Sequence, residues 1–188
     1  MLSINRLGNL GRLANQMFQY ASIKGIASNR GYSFSIPPKD AFGAQDELVS
    51  QSDVTIYDVF EKVGNNIIGF QKNQTLWERM HHFDEELFVN CPDNVDLVGY
   101  FQTEKYFKHI EDEIREDFTF SKEITEMCKE LYNKVVDGES ISLHIRRGDY
   151  TVNPNHPTQT VEYYDKALSN FDSKIPVFVF SDDPSWCH

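Results

Sequence analysis

The sequence predicts an α/β fold in which strands and helices alternate to build a parallel sheet, followed by a second, incomplete unit of the same kind. Two observations predict it. A glycine turn and a helical stretch stand between two alternating apolar stretches near the amino terminus, and the order strand, helix, strand returns after residue 139. The composition is that of a folded chain, because 40% of the 188 residues are hydrophobic and 13% are aromatic.

The first elements follow from periodicity and from the residues that end them. Residues 2–7 are a candidate strand, and Gly8–Gly11 predicts the turn after it. Apolar residues then recur at helical spacing over residues 13–30, where a basic last turn and a glycine end the helix. Residues 32–36 alternate as a second strand until two prolines stop it.

The middle of the chain has the weakest pattern. Within residues 39–94 the sequence predicts only a short helix over residues 53–63 and short strands over residues 66–71. The apolar run at residues 96–101 predicts a buried strand, and Thr103 is a plausible N-cap for one helix that continues to Asp117.

A further helix is capped by Ser121, and Asp137-Gly138 ends it. That dipeptide is the best domain boundary, so the sequence predicts one domain over residues 1–138 and a second over residues 139–188. The second begins with one strand-helix-strand unit. Because one such unit cannot cover both faces of a parallel sheet, we expect the second domain to be cut short.

The second unit has three predicted elements: a strand over residues 140–145, a helix over residues 161–171 and a strand over residues 176–180. After the last strand, Asp183 is a candidate N-cap and Pro184 a candidate first residue of another helix.

Two adjacent arginines are the most informative feature of the chain. Residues 144–150 read His-Ile-Arg-Arg-Gly-Asp-Tyr, so Arg146 and Arg147 emerge where a strand gives way to a loop. This is the edge at which open α/β sheets bind ligands, and paired guanidinium groups suit a diphosphate. Gly148 lets the backbone turn close to the bound group. The alternatives are two solvated surface charges and an adhesion signal read from Arg-Gly-Asp.

The bulk properties exclude several classes of protein. The net charge of −11 argues against a general nucleic-acid binder, which needs a basic face. Cys91, Cys128 and Cys187 are too widely spaced for a metal motif and predict reduced thiols. The sequence shows no membrane-spanning run and no signal peptide, so it predicts a cytoplasmic protein and leaves peripheral membrane association open.

Four separated stretches carry a family resemblance. They are residues 11–21 (Gly-Arg-Leu-Ala-Asn-Gln-Met-Phe-Gln-Tyr-Ala), residues 99–102 (Gly-Tyr-Phe-Gln), the arginine motif, and residues 180–183 (Phe-Ser-Asp-Asp) with Trp186 and Cys187. Together they resemble the bacterial α-1,2-fucosyltransferases of glycosyltransferase family 11, in the family's order and over essentially the whole chain. The arginine motif is shared in looser form with α-1,6- and protein O-fucosyltransferases.

The resemblance implies a GT-B architecture: two Rossmann-like domains, the first binding mainly the acceptor and the second GDP-fucose, with neither a metal ion nor a cofactor. It implies that Arg146 and Arg147 hold the donor diphosphate, that His144 lies near the nucleotide and that Asp149 braces the loop. Guanidinium groups then stabilise the negative charge that builds on GDP as the fucose bond breaks. Asp149, or alternatively His156, is the candidate for the base that takes the acceptor proton.

Four further residues carry two interpretations each. Asn15 and Gln16, at the start of the first helix, either donate to a ligand in the cleft or pin the glycine turn. Asp182 and Asp183 either contact the donor or serve as helix cap and first-turn charge. The family usually reads Gly-Gly-Leu-Gly-Asn-Gln where this chain has residues 11–16, and Ala14 fits there if it is already helical.

The resemblance implies the transfer of L-fucose from GDP-fucose to the 2-hydroxyl of a galactosyl glycan, with inversion, and Arg146 and Asp149 as the catalytic residues. One alternative is an α-1,6- or protein O-fucosyltransferase. The other is a non-catalytic binding module or fragment, because the donor domain is incomplete.

Overall fold

The computed structural model of the chain describes residues 1–41, 54–63, 67–71, 73–135 and 138–187. Contacts between residues divide the chain into two compact units, an amino-terminal unit of residues 1–125 and a carboxyl-terminal unit of residues 126–188. Asp137, which forms part of the predicted boundary, lies outside the described residues, and the division into domains at 138 and 139 stays a prediction.

The amino-terminal unit is built on a five-stranded parallel sheet, which confirms the predicted α/β class. Its strands are β1 (Leu2–Ser3), β2 (Phe34–Ile36), β3 (Ile67–Ile68), β4 (Gln74–Trp77) and β5 (Val95–Val98), in the order β3-β2-β1-β5-β4. Its helices are α1 (Leu13–Arg30), α2 (Ile56–Val59), α3 (Glu85–Asn90) and α4 (Glu111–Asp117). The GT-B and Rossmann-like details stay predictions.

Helix α1 is the central helix of this unit and has the predicted bounds. Gly31 ends it in the left-handed conformation, with φ of 68°, and its N–H bonds the carbonyls of the last turn. Tyr20, Ile23 and Ile26 are buried in the core, together with apolar side chains of β1 and β5. The helix therefore stabilises the sheet by burying a continuous apolar surface.

Two strands are shorter than predicted, because side-chain carboxylates accept backbone N–H groups that a longer strand would use. Asp96 accepts the N–H of Asn5 at 2.8 Å, and β1 ends at Ser3. Glu78 accepts the N–H groups of Tyr100 and Phe101, at 2.7 and 3.0 Å, so β5 ends at Val98 and not at Phe101.

The predicted helix over residues 103–117 is wrong in its first half. Two 3₁₀ turns, Glu104–Tyr106 and Lys108–Ile110, precede α4, and Phe107 between them has a non-helical backbone, with φ of −131° and ψ of 6°. Thr103 does act as a cap, since its side chain accepts from the N–H of Lys105 at 3.4 Å. The 3₁₀ turn replaces the first part of the expected α-helix.

Residues 39–94, where the sequence pattern is weakest, contain three elements among their described residues that the sequence did not predict: a 3₁₀ turn at Lys39–Ala41, β4 and α3. The short helix expected at 53–63 is only the four residues of α2, and Asp53 lies outside the described residues. Of the predicted strands over residues 66–71, the structure describes β3, while Asn66 lies outside the described residues.

The carboxyl-terminal unit contains the strand-helix-strand unit that the sequence predicts. Strands β6 (Ile141–Ile145) and β7 (Val177–Ser181) are parallel neighbours, and α6 (Val161–Leu168) connects them. Helix α5 (Lys122–Val135) precedes β6, and the Ser121 hydroxyl caps it by accepting the N–H of Ile124 at 3.4 Å. These elements confirm the predicted order, although α6 ends at Leu168 and not at residue 171.

Candidate functional site

The arginine motif lies at the carboxyl end of β6, as predicted. In the register of the two strands Ile145 pairs with Ser181, so the residues that follow β6 meet the residues that follow β7. The loop after β6 forms a 3₁₀ turn, Gly148–Val152, and the loop after β7 forms another, Pro184–Cys187. Two loops from adjacent parallel strands therefore build one site. We call it the two-arginine site, after Arg146 and Arg147, which lie in the loop that follows β6.

Arg146 is tied to two carboxylates. Its Nη1 lies 2.5 Å from Asp182 Oδ2, and its Nη2 forms an ion pair with Asp149. Its guanidinium group also lies over the ring of Tyr150, 5.2 Å from the centroid. The ion pair with Asp149 is the contact that a bracing role would need, and that role stays a prediction.

Arg147 is held differently, because only its backbone N–H and its Nε donate to the protein. The N–H donates to Asp182 Oδ1 at 2.8 Å and Nε donates to Asp183 Oδ2 at 3.1 Å. The guanidinium plane lies over Trp186 with 4.2 Å between Cζ and the ring centroid. Within the described part of the chain, neither Nη atom of Arg147 has a hydrogen-bond partner, so these donors are available to an anion.

Asp182 connects the two arginines. One of its oxygens accepts the Arg147 N–H and the other pairs with Arg146. The hydrogen bond from Arg147 and the charge of Arg146 lower the pKa of this carboxyl below its ordinary value. A Cβ on Gly148 would stand 2.4 Å from Asp182 Oδ2, so the glycine admits this carboxylate, whereas the sequence suggested a glycine that admits a ligand.

The helix-cap interpretation of Asp183 is wrong in the structure. Its carboxylate faces Arg147, and the turn that follows is closed by the backbone, with Trp186 N–H donating to the Asp183 carbonyl at 3.2 Å. Pro184 does begin a turn, as predicted, but the turn is a 3₁₀ helix. The structure thus places both aspartates against the arginines.

The two histidines of the motif region differ in their surroundings. His144 is exposed on β6, where it pairs in register with Phe180. His156 stacks on Tyr150, with 4.8 Å between ring centroids and 17° between the planes. Because Arg146 lies over the same Tyr150, His156 is linked to the two-arginine site through that ring. The predicted roles of both histidines stay predictions.

The polar residues at the start of α1 lie in the amino-terminal unit. Gln16 is fully buried, where it accepts the N–H of Ile56 at 3.0 Å and donates to the Val54 carbonyl at 3.3 Å. These bonds go to the start of α2 and not to the glycine turn, so Gln16 does not pin that turn as one interpretation predicted. Asn15 accepts a hydrogen bond from Gln102 and is only partly buried, so its contact with an acceptor stays a prediction.

The turn before α1 explains two residue choices in the Gly-Arg-Leu-Ala-Asn-Gln stretch. Gly11 has φ of 83°, and a Cβ there would overlap the side chain of Asn15 at 1.8 Å from Nδ2. Ala14 follows the first residue of α1, so it is helical and unstrained, as expected. The missing family glycine therefore leaves the turn intact.

The structure also shows what the described residues do not form. Across residues 1–41, 54–63, 67–71, 73–135 and 138–187, no group of three His, Cys, Asp or Glu side chains is placed to hold a metal ion. No described helix combines the length and apolar character needed to cross a membrane. A largely apolar cavity of about 500 Å³ beside α1 and α4, in the amino-terminal unit, contains none of the predicted site residues.

The sequence did not identify the aromatic members of the two-arginine site, which are Trp186, Tyr164 and Tyr150. Tyr164 on α6 is buried and meets Trp186 edge to face, at 6.2 Å between centroids. The available signal was an aromatic residue soon after the strand-end aspartates, which by itself indicates packing. Only the structure shows that a guanidinium group covers that ring.

Fold and site together define an α/β protein whose carboxyl-terminal unit presents a pair of guanidinium groups at the ends of parallel strands. The family model of glycosyl transferase family 11 matches residues 3–188, and the chain belongs to that family.

Known relatives agree with this assignment. An alpha-1,2-colitosyltransferase of Escherichia coli is 30% identical over 94% of this chain and 68% of its own length. Galactoside alpha-(1,2)-fucosyltransferase 2 of Bos taurus is 28% identical over 100% of this chain, which spans 54% of that relative. The crystal structure of the fucosyltransferase NodZ from Bradyrhizobium superposes with a TM-score of 0.51 at 17% identity, covering 96% of this chain and 71% of NodZ, and shows a shared fold.

Proposed function

We propose that the chain takes part in the transfer of L-fucose from GDP-fucose to the 2-hydroxyl of a galactosyl glycan. The observation that carries the proposal is the two-arginine site, where Arg147 offers unpaired Nη donors beside Arg146. The bovine relative is named for a galactoside α-(1,2)-fucosyl transfer, which supports this donor sugar and linkage. The chain spans about half the length of that relative, so the activity, both substrates and a cytoplasmic location are part of the proposal.

The chemistry needs charge stabilisation and a base. As the bond between fucose and phosphate breaks, negative charge builds on the diphosphate, and guanidinium groups held in place stabilise it without reorganising. We propose that Arg146 and Arg147 do this without a metal ion or cofactor. Asp182 and Asp183 are placed to hold the two arginines. We therefore propose that they support donor binding by positioning Arg146 and Arg147.

We propose two candidates for the base that removes the acceptor proton, Asp149 and His156. Asp149 is half exposed, with 56% of its side chain accessible, but it is engaged with Arg146. His156 is exposed and stacks on the Tyr150 ring. Replacement of each in turn separates them, because loss of the base lowers kcat while donor affinity stays, whereas loss of a brace for Arg146 weakens donor binding.

Donor binding without transfer is the second candidate function. The observation that favours it is the two-stranded sheet of the described carboxyl-terminal unit, which leaves apolar side chains uncovered: Phe180 is 58% exposed and Val179 is 45% exposed. A site on so small a sheet offers contacts for a donor but few for a second substrate. Labelled GDP-fucose separates the two functions, since an enzyme converts it to product or hydrolyses it and a binding module does neither. The linkage of any product, determined by NMR, separates α-1,2 from α-1,6 or protein O-fucosylation.

Calorimetric titration of the full chain with GDP tests the proposal. Arg146→Ala and Arg147→Ala should each abolish measurable binding, because one charged partner of the diphosphate is lost. Arg115→Ala is the matched control: it removes an arginine of α4 whose side chain is 74% exposed, and affinity should stay unchanged. Wild-type affinity in the Arg146 or Arg147 variant would contradict the diphosphate assignment.

A further inference from the structure

We propose that Trp186 is a positioning residue for the donor site, which holds the Arg147 guanidinium flat so that its two Nη groups face the diphosphate. The inference rests on the proposed function. It goes beyond it because the residue is an aromatic side chain that acts through Arg147, and the sequence did not identify it as a member of the site.

Two contacts hold the guanidinium group of Arg147, and a third holds its backbone. The Arg147 Cζ lies over the Trp186 ring, 4.2 Å from its centroid, a distance that fits a guanidinium group stacked on the indole. Asp183 engages Nε, and the backbone N–H of Arg147 is bound to Asp182. A planar cation held by its face and by its Nε edge has only the Nη edge free, and that edge carries the donors that match two phosphate oxygens.

Trp186 is itself held in place. The Tyr164 ring meets it edge to face, and Tyr164 is buried, with 9% of its surface exposed. The 3₁₀ turn that carries Trp186 is closed by its own N–H, which donates to the Asp183 carbonyl. The stack therefore rests on a buried ring.

This arrangement distinguishes arginine from lysine at position 147. A lysine has no planar group to lie on the indole and no Nε–H to bond Asp183, so it would keep the charge and lose the orientation. If the charge alone were needed, Arg147→Lys would bind GDP as the wild type does. We expect Arg147→Lys to lose at least as much GDP affinity as a variant that lacks the Trp186 ring, because it loses both the stack and the bond to Asp183.

The experiment measures the Kd of the full chain for GDP in two conservative variants. Trp186→Leu keeps an apolar side chain but removes the π face, and affinity should fall about 3- to 30-fold, the range of one cation–π contact at a partly buried site. Trp186→Phe restores a ring and should bind within about threefold of the wild type. Thermal unfolding of both variants checks that they fold alike.

Trp77 supplies a matched control, because the chain has two tryptophans and Trp77 also carries an arginine, Arg6, at 5.2 Å. Trp77→Leu removes an equivalent stack from the amino-terminal unit and should leave GDP affinity unchanged. In a Trp77→Phe background Trp186 is the only indole, and its fluorescence should change as GDP is added.

The outcomes separate the inference from the proposed function. If the wild type binds GDP and Trp186→Leu binds equally well, or Trp186→Phe is as weak as Trp186→Leu, the positioning role is wrong and the proposed function stands. Wild-type affinity in Arg147→Lys overturns the inference even if a Trp186 variant fails to fold. Absence of GDP binding by the wild type overturns both.

Discussion

Buried apolar side chains fill the amino-terminal unit, whereas among the described residues of the carboxyl-terminal unit only Ile145 and Tyr164 are buried hydrophobic residues. The first unit holds its polar residues in place by burial, as with Gln16 under α2. The second positions Arg146 and Arg147 by ion pairs with three aspartates and by contacts with aromatic rings.

The difference shows that order in a site does not require a large core. Paired charges that are partly exposed contribute little to the free energy of unfolding, yet they fix the orientation of a guanidinium group. A site built this way can change its partners when a ligand arrives, because exchanging a carboxylate for a phosphate leaves the few buried residues untouched. Perturbing each unit in the same way tests this contrast.

The largest expected effect is on the free energy of unfolding. Leu97→Ala empties a position that is 1% exposed in β5 and should destabilise the protein by about 2–5 kcal/mol. Leu131→Ala removes the same side chain from α5, where it is 62% exposed, and should cost less than about 0.5 kcal/mol. Urea denaturation followed by circular dichroism measures both. Equal losses would show that the exposed face of α5 is covered in solution.

Two glycine substitutions separate stability from site geometry. Gly25→Ala in α1 would place a Cβ 2.1 Å from the Tyr106 carbonyl oxygen, and backbone cannot yield cheaply, so we expect a loss of about 1–3 kcal/mol. Gly148→Ala would meet only the end of the Asp182 side chain, at 2.4 Å. That carboxylate can swing aside at little cost in stability.

The same Gly148→Ala change should nevertheless weaken GDP binding, because Asp182 would release both the Arg147 N–H and the Arg146 side chain. The expected loss of affinity is about tenfold, which corresponds to about one charge-assisted hydrogen bond. Calorimetry with GDP and thermal unfolding of both glycine variants test the pair. A Gly148→Ala protein with wild-type affinity would mean that Asp182 does not set the orientation of the arginines.

The elements that the sequence predicted well are those whose signals are local. Helix α1 has eighteen residues of periodic pattern and a glycine stop, and β6 alternates up to the arginine motif. Strand β4 and helix α3 were missed because β4 is a four-residue, largely exposed edge strand and α3 has six residues. Short elements carry too few periods to predict, and their pairing with the sheet supplies the order they lack.

The residues of the two-arginine site also differ in how well the sequence predicts them. The position of Arg146 and Arg147 at the end of a strand was predictable, because the alternating residues before them predict β6. The partners of Arg147 were not, since Asp183 and Trp186 reach it only through the pairing of β6 with β7, across 36 and 39 positions of sequence. The cap signal at Asp183 was real in pattern, but a charged neighbour in space outcompeted a weak local hydrogen bond.

The smallest expected effect concerns pH and two carboxylates whose pKa is lowered, one in each unit. Asp84 is 2% exposed, caps α3 and is bonded by Arg79, which lowers its pKa. Asp182 is 26% exposed, and its pKa is lowered by the Arg147 N–H and Arg146. The unfolded-state pKa of both carboxyls is near 3.8, and the folded-state pKa is lower. Each carboxylate therefore stabilises the fold at pH values above the unfolded pKa. This contribution disappears as the pH falls through the folded-state pKa.

Asp84→Asn and Asp182→Asn should therefore differ from the wild type in unfolding free energy mainly above about pH 4 and converge with it as the pH falls below that value. The Asp84 difference should be the larger, about 1 kcal/mol, because solvent screens the exposed pair around Asp182. Denaturation curves between pH 3 and pH 7 measure both. A larger difference at Asp182 would contradict the expectation that solvent weakens its ion pair more than that of Asp84.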